Sequence, residues 1–178
     1  QAKRLCPDGI YVQPDKEKYA RISGEIVAIF QCFSPVVETL ALDEAFLDVT
    51  GMEMLYPDVT EIARQIKARV RCELNLVVSV GAAPNKFLAK LASALQKPDG
   101  LVVIRPGEEI ELLAALPVTK LWGVGDVTAR VLQSLHIKTI SDLRRFDLSL
   151  LERRLGKQAA ELHHLAWGRD ERPVVPDG

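Results

Sequence analysis

Residues 36–50, VVETLALDEAFLDVT, decide how the rest of the chain is read. Residues 36–42 are rich in apolar and β-branched types and predict one strand; residues 45–49 predict a second. Asp43 and Glu44 stand between them, so the segment predicts a β-hairpin with two adjacent carboxylates at its turn. Ser34-Pro35 closes whatever precedes, because the residue before a proline resists the α region. Thr50-Gly51 closes the hairpin. Adjacent carboxylates at a strand end can approach one hard cation from neighbouring positions. Such a pair suits phosphoryl transfer in which two divalent ions clamp the attacking and leaving oxygens. Magnesium needs only one or two carboxylates besides waters and substrate phosphates. A solvated turn carries the same two residues without any chemistry, so the pair acquires meaning only from its neighbours.

Upstream, Tyr19, Ile22, Ile26, Ile29 and Phe30 recur at helical spacing over residues 16–33. Downstream, residues 58–74 repeat that period. Val59, Ile62, Ala63, Ile66 and Val70 line one side, with Arg64, Lys67, Arg71 and Glu73 largely on the other. A strand is predicted over 76–80, a loop over 81–85, a helix over 85–96 and a short strand over 101–104. Beyond Arg105-Pro106-Gly107 the strand signals cease. Short helices are predicted over 108–116, 126–135, 139–146, 148–155 and 158–167. The chain therefore reads as α+β: a sheet with packed helices, then a small all-helical domain. Residues 168–178 read as a linker.

Two of these segments bear on the carboxylates. On a helix over 85–96, Lys86, Lys90 and Lys97 fall within roughly 40° of one another, opposite Leu88, Leu91 and Leu95. No acid stands between Lys86 and Lys97 to pair with them, so the face suits phosphates as well as water. Trp122-Gly123-Val124-Gly125 precedes a helix, and amides at a helix N-terminus favour an anion. With Leu135-His136-Ile137-Lys138-Thr139-Ile140-Ser141-Asp142 following, it reads as a helix-hairpin-helix grip on a DNA phosphate that reads no bases.

Composition sets the limits. The 178 residues carry a net charge of −1. Residues 1–62 hold 11 acids against 5 bases, and residues 119–157 hold 8 bases against 4 acids. An acidic front and a basic rear suit a chain that holds cations at one place and phosphates at another. No apolar run approaches the roughly 20 residues of a membrane helix. Cys6, Cys32 and Cys72 are three and widely spaced, which fits a reducing cytoplasm and excludes a Cys-x-x-Cys zinc site. His163 and His164 diverge on a helix and read as structural; Trp122 and Trp167 read as packing residues. Any metal must be held by oxygen, which points to magnesium or manganese.

In order and spacing these segments resemble the Y-family (translesion) DNA polymerases, closest to their bacterial polymerase IV-like branch. The similarity runs from Cys6-Pro7 to Asp170-Glu171-Arg172-Pro173-Val174, nearly the whole chain. It implies a palm over 15–105, a thumb over 106–172, a remnant of the fingers over 1–14, and a linker to a little finger over 173–178. It implies that Asp43 and Glu44 bind catalytic Mg2+ and that Lys97 contacts the triphosphate of the incoming dNTP. Lys86 and Lys90 match basic positions facing DNA, and Gly123, Val124 and Gly125 match the hairpin that holds a backbone phosphate. The implied reaction is attack of a primer 3′-hydroxyl on the α-phosphate, releasing pyrophosphate. Implied partners are primer-template DNA, dNTP and, for the full-length protein, a sliding clamp, in the cytoplasm and without a membrane.

The departures shape the expectation. The family opens at a strand carrying an Asp followed by aromatics, a third metal ligand, and nothing before Asp8 matches it. Most of the fingers and the little finger are also unmatched, so the 178 residues alone are expected to be inactive or nearly so. Ala41 stands where the family commonly has Ser. His136 and Ser141 stand where its thumb often has Gly; a left-handed backbone at His136 would cost on the order of 1 kcal/mol. Two other classes fit the acidic hairpin: a non-catalytic DNA-binding relative, and a nucleotidyl cyclase with a palm-like sheet. The retained Asp43-Glu44 pair speaks against the first, and the Gly-Val-Gly segment against the second.

Overall fold

The computed structural model describes residues 2–176. A short helix α1 (Ala2–Leu5) leads through an exposed stretch to α2 (Lys16–Gln31), where the Asp15 carboxylate accepts from the Lys18 N–H and caps the first turn. The hairpin follows as β1 (Val36–Ala41) and β2 (Glu44–Asp48), antiparallel, with Glu38 opposite Phe46 and Val37 opposite Leu47. The register is irregular between Thr39 and Ala41, just before the turn that carries Asp43.

Cross-strand partners share a face, and alternate residues along a strand share it too. Glu38, Phe46 and Glu44 therefore look to one side, and Val37 and Leu47 to the other. On the second side Leu47 packs with Ile29, Phe33, Ile62, Ile66 and Val70, the apolar stripes of α2 and α3 (Val59–Leu74). On the first side lies α4 (Lys86–Leu95).

The next strand, β3 (Val80–Ala82), pairs in parallel with β4 (Leu101–Val103). The expectation of a strand over 76–80 is corrected here: only Val80 of that run is in the strand, and Gly81-Ala82, expected in a loop, belong to it. The reason is a close approach invisible to β propensity. A Cβ on Gly81 would meet the Ala89 carbonyl oxygen at 2.2 Å and the Ser93 nitrogen at 2.3 Å. Only glycine lets the strand lie against α4.

The strands do not form one continuous sheet. β1-β2 and β3-β4 are separate two-stranded sheets. Between them runs a groove of about 960 Å³, lined by Ile22 and Ile26 of α2, Ile62 and Ile66 of α3, and residues of β2 and β3.

From Glu109 the chain is helical: α5 (Glu109–Ala114), α6 (Asp126–Ser134), α7 (Ile140–Arg145), α8 (Leu148–Leu155) and α9 (Gln158–Ala166). One hydrophobic core joins Phe87, Leu88 and Leu91 of α4 to Leu113, Leu132, Leu143, Leu151 and Leu162 of these helices. The turn at 105–107 changes the secondary structure without dividing the core. α6 ends in a Schellman motif, with Ile137 N–H on the Leu132 carbonyl and His136 N–H on that of Gln133. His136 sits at φ 59°, the left-handed conformation that glycine adopts without strain.

Candidate active site

Two lysines on one turn of α4 meet two glutamates on the facing hairpin. Residues i and i+4 of a helix are neighbours on one face, about 6 Å apart along its axis. Lys86 Nζ lies 2.6 and 2.7 Å from the two carboxylate oxygens of Glu38. Lys90 Nζ lies 2.6 Å from Oε2 of Glu44. The absence of acids within the helix held as a sequence fact, but tertiary partners arrive from β1 and β2.

The two lysines differ in what remains available. Lys86 is 9% exposed, donates also to the Pro173 carbonyl, and stands 5.0 Å from the Phe46 ring centre. Its ammonium is turned inward onto three oxygens, two of Glu38 and one of Pro173. Lys90 keeps about a third of its surface and lies 5.8 Å from the Trp122 ring centre. Lys97 lies beyond the end of α4, exposed, and does not continue the helical lysine face.

Asp43, Glu44, Lys90 and Lys97 converge on the groove between the sheets. Asp43 is exposed in the hairpin turn. Lys97 is carried by the loop that follows α4. Lys67 of α3, read from its period as a solvent-side residue, donates to the Val78 carbonyl, the Asp99 carbonyl and the Asp99 carboxylate at 2.8, 2.9 and 2.5 Å. That ammonium, by hydrogen bond and charge, holds the Asp99 carboxyl below its ordinary range.

On the other side of Lys90 a smaller cavity of about 280 Å³ is shared with Lys120, Trp122 and Gly123. Gly123 has φ 89°, and the Gln158 amide donates to its carbonyl. Gly125 is the N-cap of α6 and offers no side-chain acceptor to its first amides. The base of this hairpin is closed by hydrogen bonds from Val118 N–H to the Lys138 carbonyl and from Ile140 N–H to that of Leu116. The structure thus joins Asp43, Glu44, Lys90 and Lys97 on one groove and sets Gly123 on a smaller cavity shared with Lys90.

Oxygen donors in a solvent-open turn fit a hard cation that retains its waters. Among the described residues, no group of three or more acids, histidines or cysteines gathers to hold a metal. The pair alone fits part of a magnesium site.

Comparison with known proteins places these features. Residues 1–94 match the impB/mucB/samB family, and residues 106–137 match the IMS family HHH motif. The DNA polymerase IV of Ralstonia nicotianae is 47% identical over 176 residues, covering 99% of this chain and 49% of that protein. The DNA polymerase IV of Ectopseudomonas mendocina is 48% identical, with 99% and 50% covered. Among solved structures, DinB from Sulfolobus solfataricus superposes with a TM-score of 0.89 at 36% identity, over 97% of this chain and 51% of the other. An insertion ternary complex of Dbh DNA polymerase gives 0.88 at 36%, over 97% and 51%. The chain spans about half the length of the curated relatives it matches.

Proposed function

The chain belongs to the impB/mucB/samB family, and on that premise we propose that it is the palm-and-thumb half of a translesion-type, DNA-directed DNA polymerase. The observation that carries this reading is the convergence of Asp43, Glu44, Lys90 and Lys97 on one groove, beside an uncapped glycine hairpin. A cyclase has no need of such a hairpin, and the match to a helix-hairpin-helix motif favours a partner with a phosphate backbone.

In this reading Asp43 and Glu44 hold Mg2+. When bound, the ion neutralises developing charge on the phosphates and favours the attacking oxygen. Lys97 binds the triphosphate of the incoming dNTP, and Lys90 orients Glu44. The turn of Gly123, Val124 and Gly125 binds one backbone phosphate of the primer-template through the amides of Gly123 and Gly125, the Val124 N–H being held by the Leu121 carbonyl, with the α6 dipole adding to the attraction. The primer 3′-hydroxyl attacks the α-phosphate and pyrophosphate leaves. Positioning and electrostatics account for most of the rate.

The apolar groove supports a further element of the proposal. A strand supplied by another part of the full-length protein seats between β2 and β3 and brings a third carboxylate to the pair. The 178 residues alone are therefore inactive or nearly so. A sliding clamp is assigned to the full-length protein on family resemblance alone. The setting is cytoplasmic. Three free, exposed cysteines accord with a reducing compartment, and no described helix is long and apolar enough to cross a membrane.

Primer extension tests the reading. The full-length protein extends a primer, and Asp43→Asn or Glu44→Gln lowers kcat roughly 100- to 1000-fold at unchanged DNA affinity, on the order expected for losing a main electrostatic element. Full activity in both variants overturns the site. Robust synthesis by the 178-residue chain overturns its inactivity.

A further inference from the structure

The stretch after α9 has neither helix nor strand, yet it is fastened along its length. The Gly168 carbonyl accepts from the Asn85 amide at 2.8 Å, and the same Asn85 caps α4 by accepting from Leu88 N–H. The Asp170 carboxylate is 3% exposed. It accepts from the Phe87 N–H in the first turn of α4 at 3.0 Å, and a two-pronged pair from Arg172 at 2.7 and 2.9 Å. The Pro173 carbonyl accepts from Lys86, and the Val175 N–H donates to Glu38 at 2.7 Å. The Lys86–Glu38 pair is thus an anchor for this strap.

Arg172 carries the strap's hold into the candidate active site. Its guanidinium lies 4.3 Å from the Trp122 ring centre, a cation–π distance. Trp122 opens the glycine hairpin, lies 6.0 Å from the ring of Phe46, and has Lys90 on it. Lys90 in turn holds Glu44. Contacts therefore run without a break from Asp170 through Arg172, Trp122 and Lys90 to a metal-binding carboxylate. A freely moving linker would not keep a carboxylate almost wholly buried on the amide of a neighbouring helix, since an unpaired buried charge is costly.

We infer that residues 168–175 are a latch between thumb and palm, in which Asp170 and Arg172 are positioning residues for Trp122, Lys90 and hence Glu44. The inference rests on the nucleotidyl-transfer reading given above. The latch fixes the hairpin and Lys90 against the hairpin carboxylates, while the loop that carries Lys97 is held separately, at Asp99, by Lys67. Its loss therefore acts on the chemical step more than on nucleotide affinity.

The test uses the full-length protein with Arg172→Ala, Arg172→Lys, and the double variant Asp170→Asn with Arg172→Ala, which leaves no unpaired buried charge. Amide hydrogen exchange is followed at Phe87 and Val175, and single-nucleotide addition gives kcat and the dNTP KM. In the unmodified protein both amides are protected. Arg172→Ala and the double variant speed exchange at Val175 at least tenfold and lower kcat at least tenfold, with KM within threefold. Arg172→Lys, which keeps the charge but not the planar stacking, falls between. Exchange at Val175 in the unmodified protein as fast as in an unstructured peptide overturns the latch. Opened exchange with unchanged kcat overturns the positioning role. Absence of primer extension by the unmodified protein overturns the polymerase reading and the positioning role with it. It is distinguishable from failure of the latch because exchange needs no catalysis.

Discussion

Glu44 and Lys90 form a pair in which each side chain keeps about a third of its surface, 40% and 32%. An ion pair so exposed contributes about 1 kcal/mol at most. A divalent cation arriving at Glu44 therefore competes with the Lys90 ammonium for a small stake. Lys90→Met is expected to tighten Mn2+ binding at Asp43 and Glu44 by about fivefold or less, read by metal titration with paramagnetic detection. Weaker binding would mean that the orientation Lys90 gives Glu44 outweighs its competition with the cation. His136 makes a second test. Its φ of 59° realises the left-handed backbone that the thumb pattern raised as a condition. His136→Gly is expected to raise stability by about 0.5–1 kcal/mol, seen as a higher urea midpoint at unchanged slope. These residues show what sequence yields at this scale. The hairpin that carries Asp43 and Glu44 was readable because strand and turn signals are local, and the left-handed position at His136 was raised by resemblance to a thumb pattern with glycine. The partners of Lys86 and Lys67 were not, because Glu38 and Asp99 lie 48 and 32 residues away. No local period announces them.

Helix ends in the thumb follow local rules closely, and their energetics are correspondingly local. At α7, the Thr139 hydroxyl accepts from Asp142 N–H while the Asp142 carboxylate accepts from Thr139 N–H, a reciprocal cap. Thr139→Ala is expected to cost about 1 kcal/mol. The backbone N–H and hydroxyl of Thr139, then the N–H of Lys138, hold the Asp142 carboxyl down at about 2, against its ordinary 3.8. A carboxyl lowered on folding stabilises fully above its unfolded value. That contribution is lost as pH falls from 3.8 through about 2. Melting temperature is accordingly expected to hold above about pH 5 and to fall steeply between about pH 4 and 2. Asp142→Asn flattens that part of the profile; an identical profile in the variant would locate the acid sensitivity elsewhere. Helices were legible because period and caps act within one turn. β3 was not, because its position is set by how closely Gly81 approaches Ala89 and Ser93 of α4.

Across the whole molecule, the distribution of apolar surface explains why a palm sheet read as continuous resolves into two. The core that joins α4 to the thumb helices is closed, with Phe87, Leu113, Leu132 and Leu143 at 1% exposure or less. The second cluster opens onto the groove of about 960 Å³, where Ile22, Ile26 and Val80 remain only partly covered. Among the described residues, β2 pairs only with β1 and β3 only with β4, so each strand presents an edge toward the space between the sheets. A twisted strand with alternating apolar residues satisfies both edges and fills the groove at once. Burying three large apolar side chains there contributes about 2 kcal/mol each. Ordering about five residues costs roughly 1 kcal/mol apiece at the lower bound, which leaves a net gain on the order of 1 kcal/mol. The full-length protein is therefore expected to melt about 2–4 °C above the 178-residue chain in the palm-thumb transition, at about 2–4 °C per kcal/mol for this size. The 178-residue chain is also expected to bind a hydrophobic dye that the full-length protein excludes. Substituting Asp for Val80 at the groove wall separates this from any general effect of length, by abolishing dye binding without unfolding the thumb. Equal dye binding by both lengths, with equal melting, would show that no strand enters the groove.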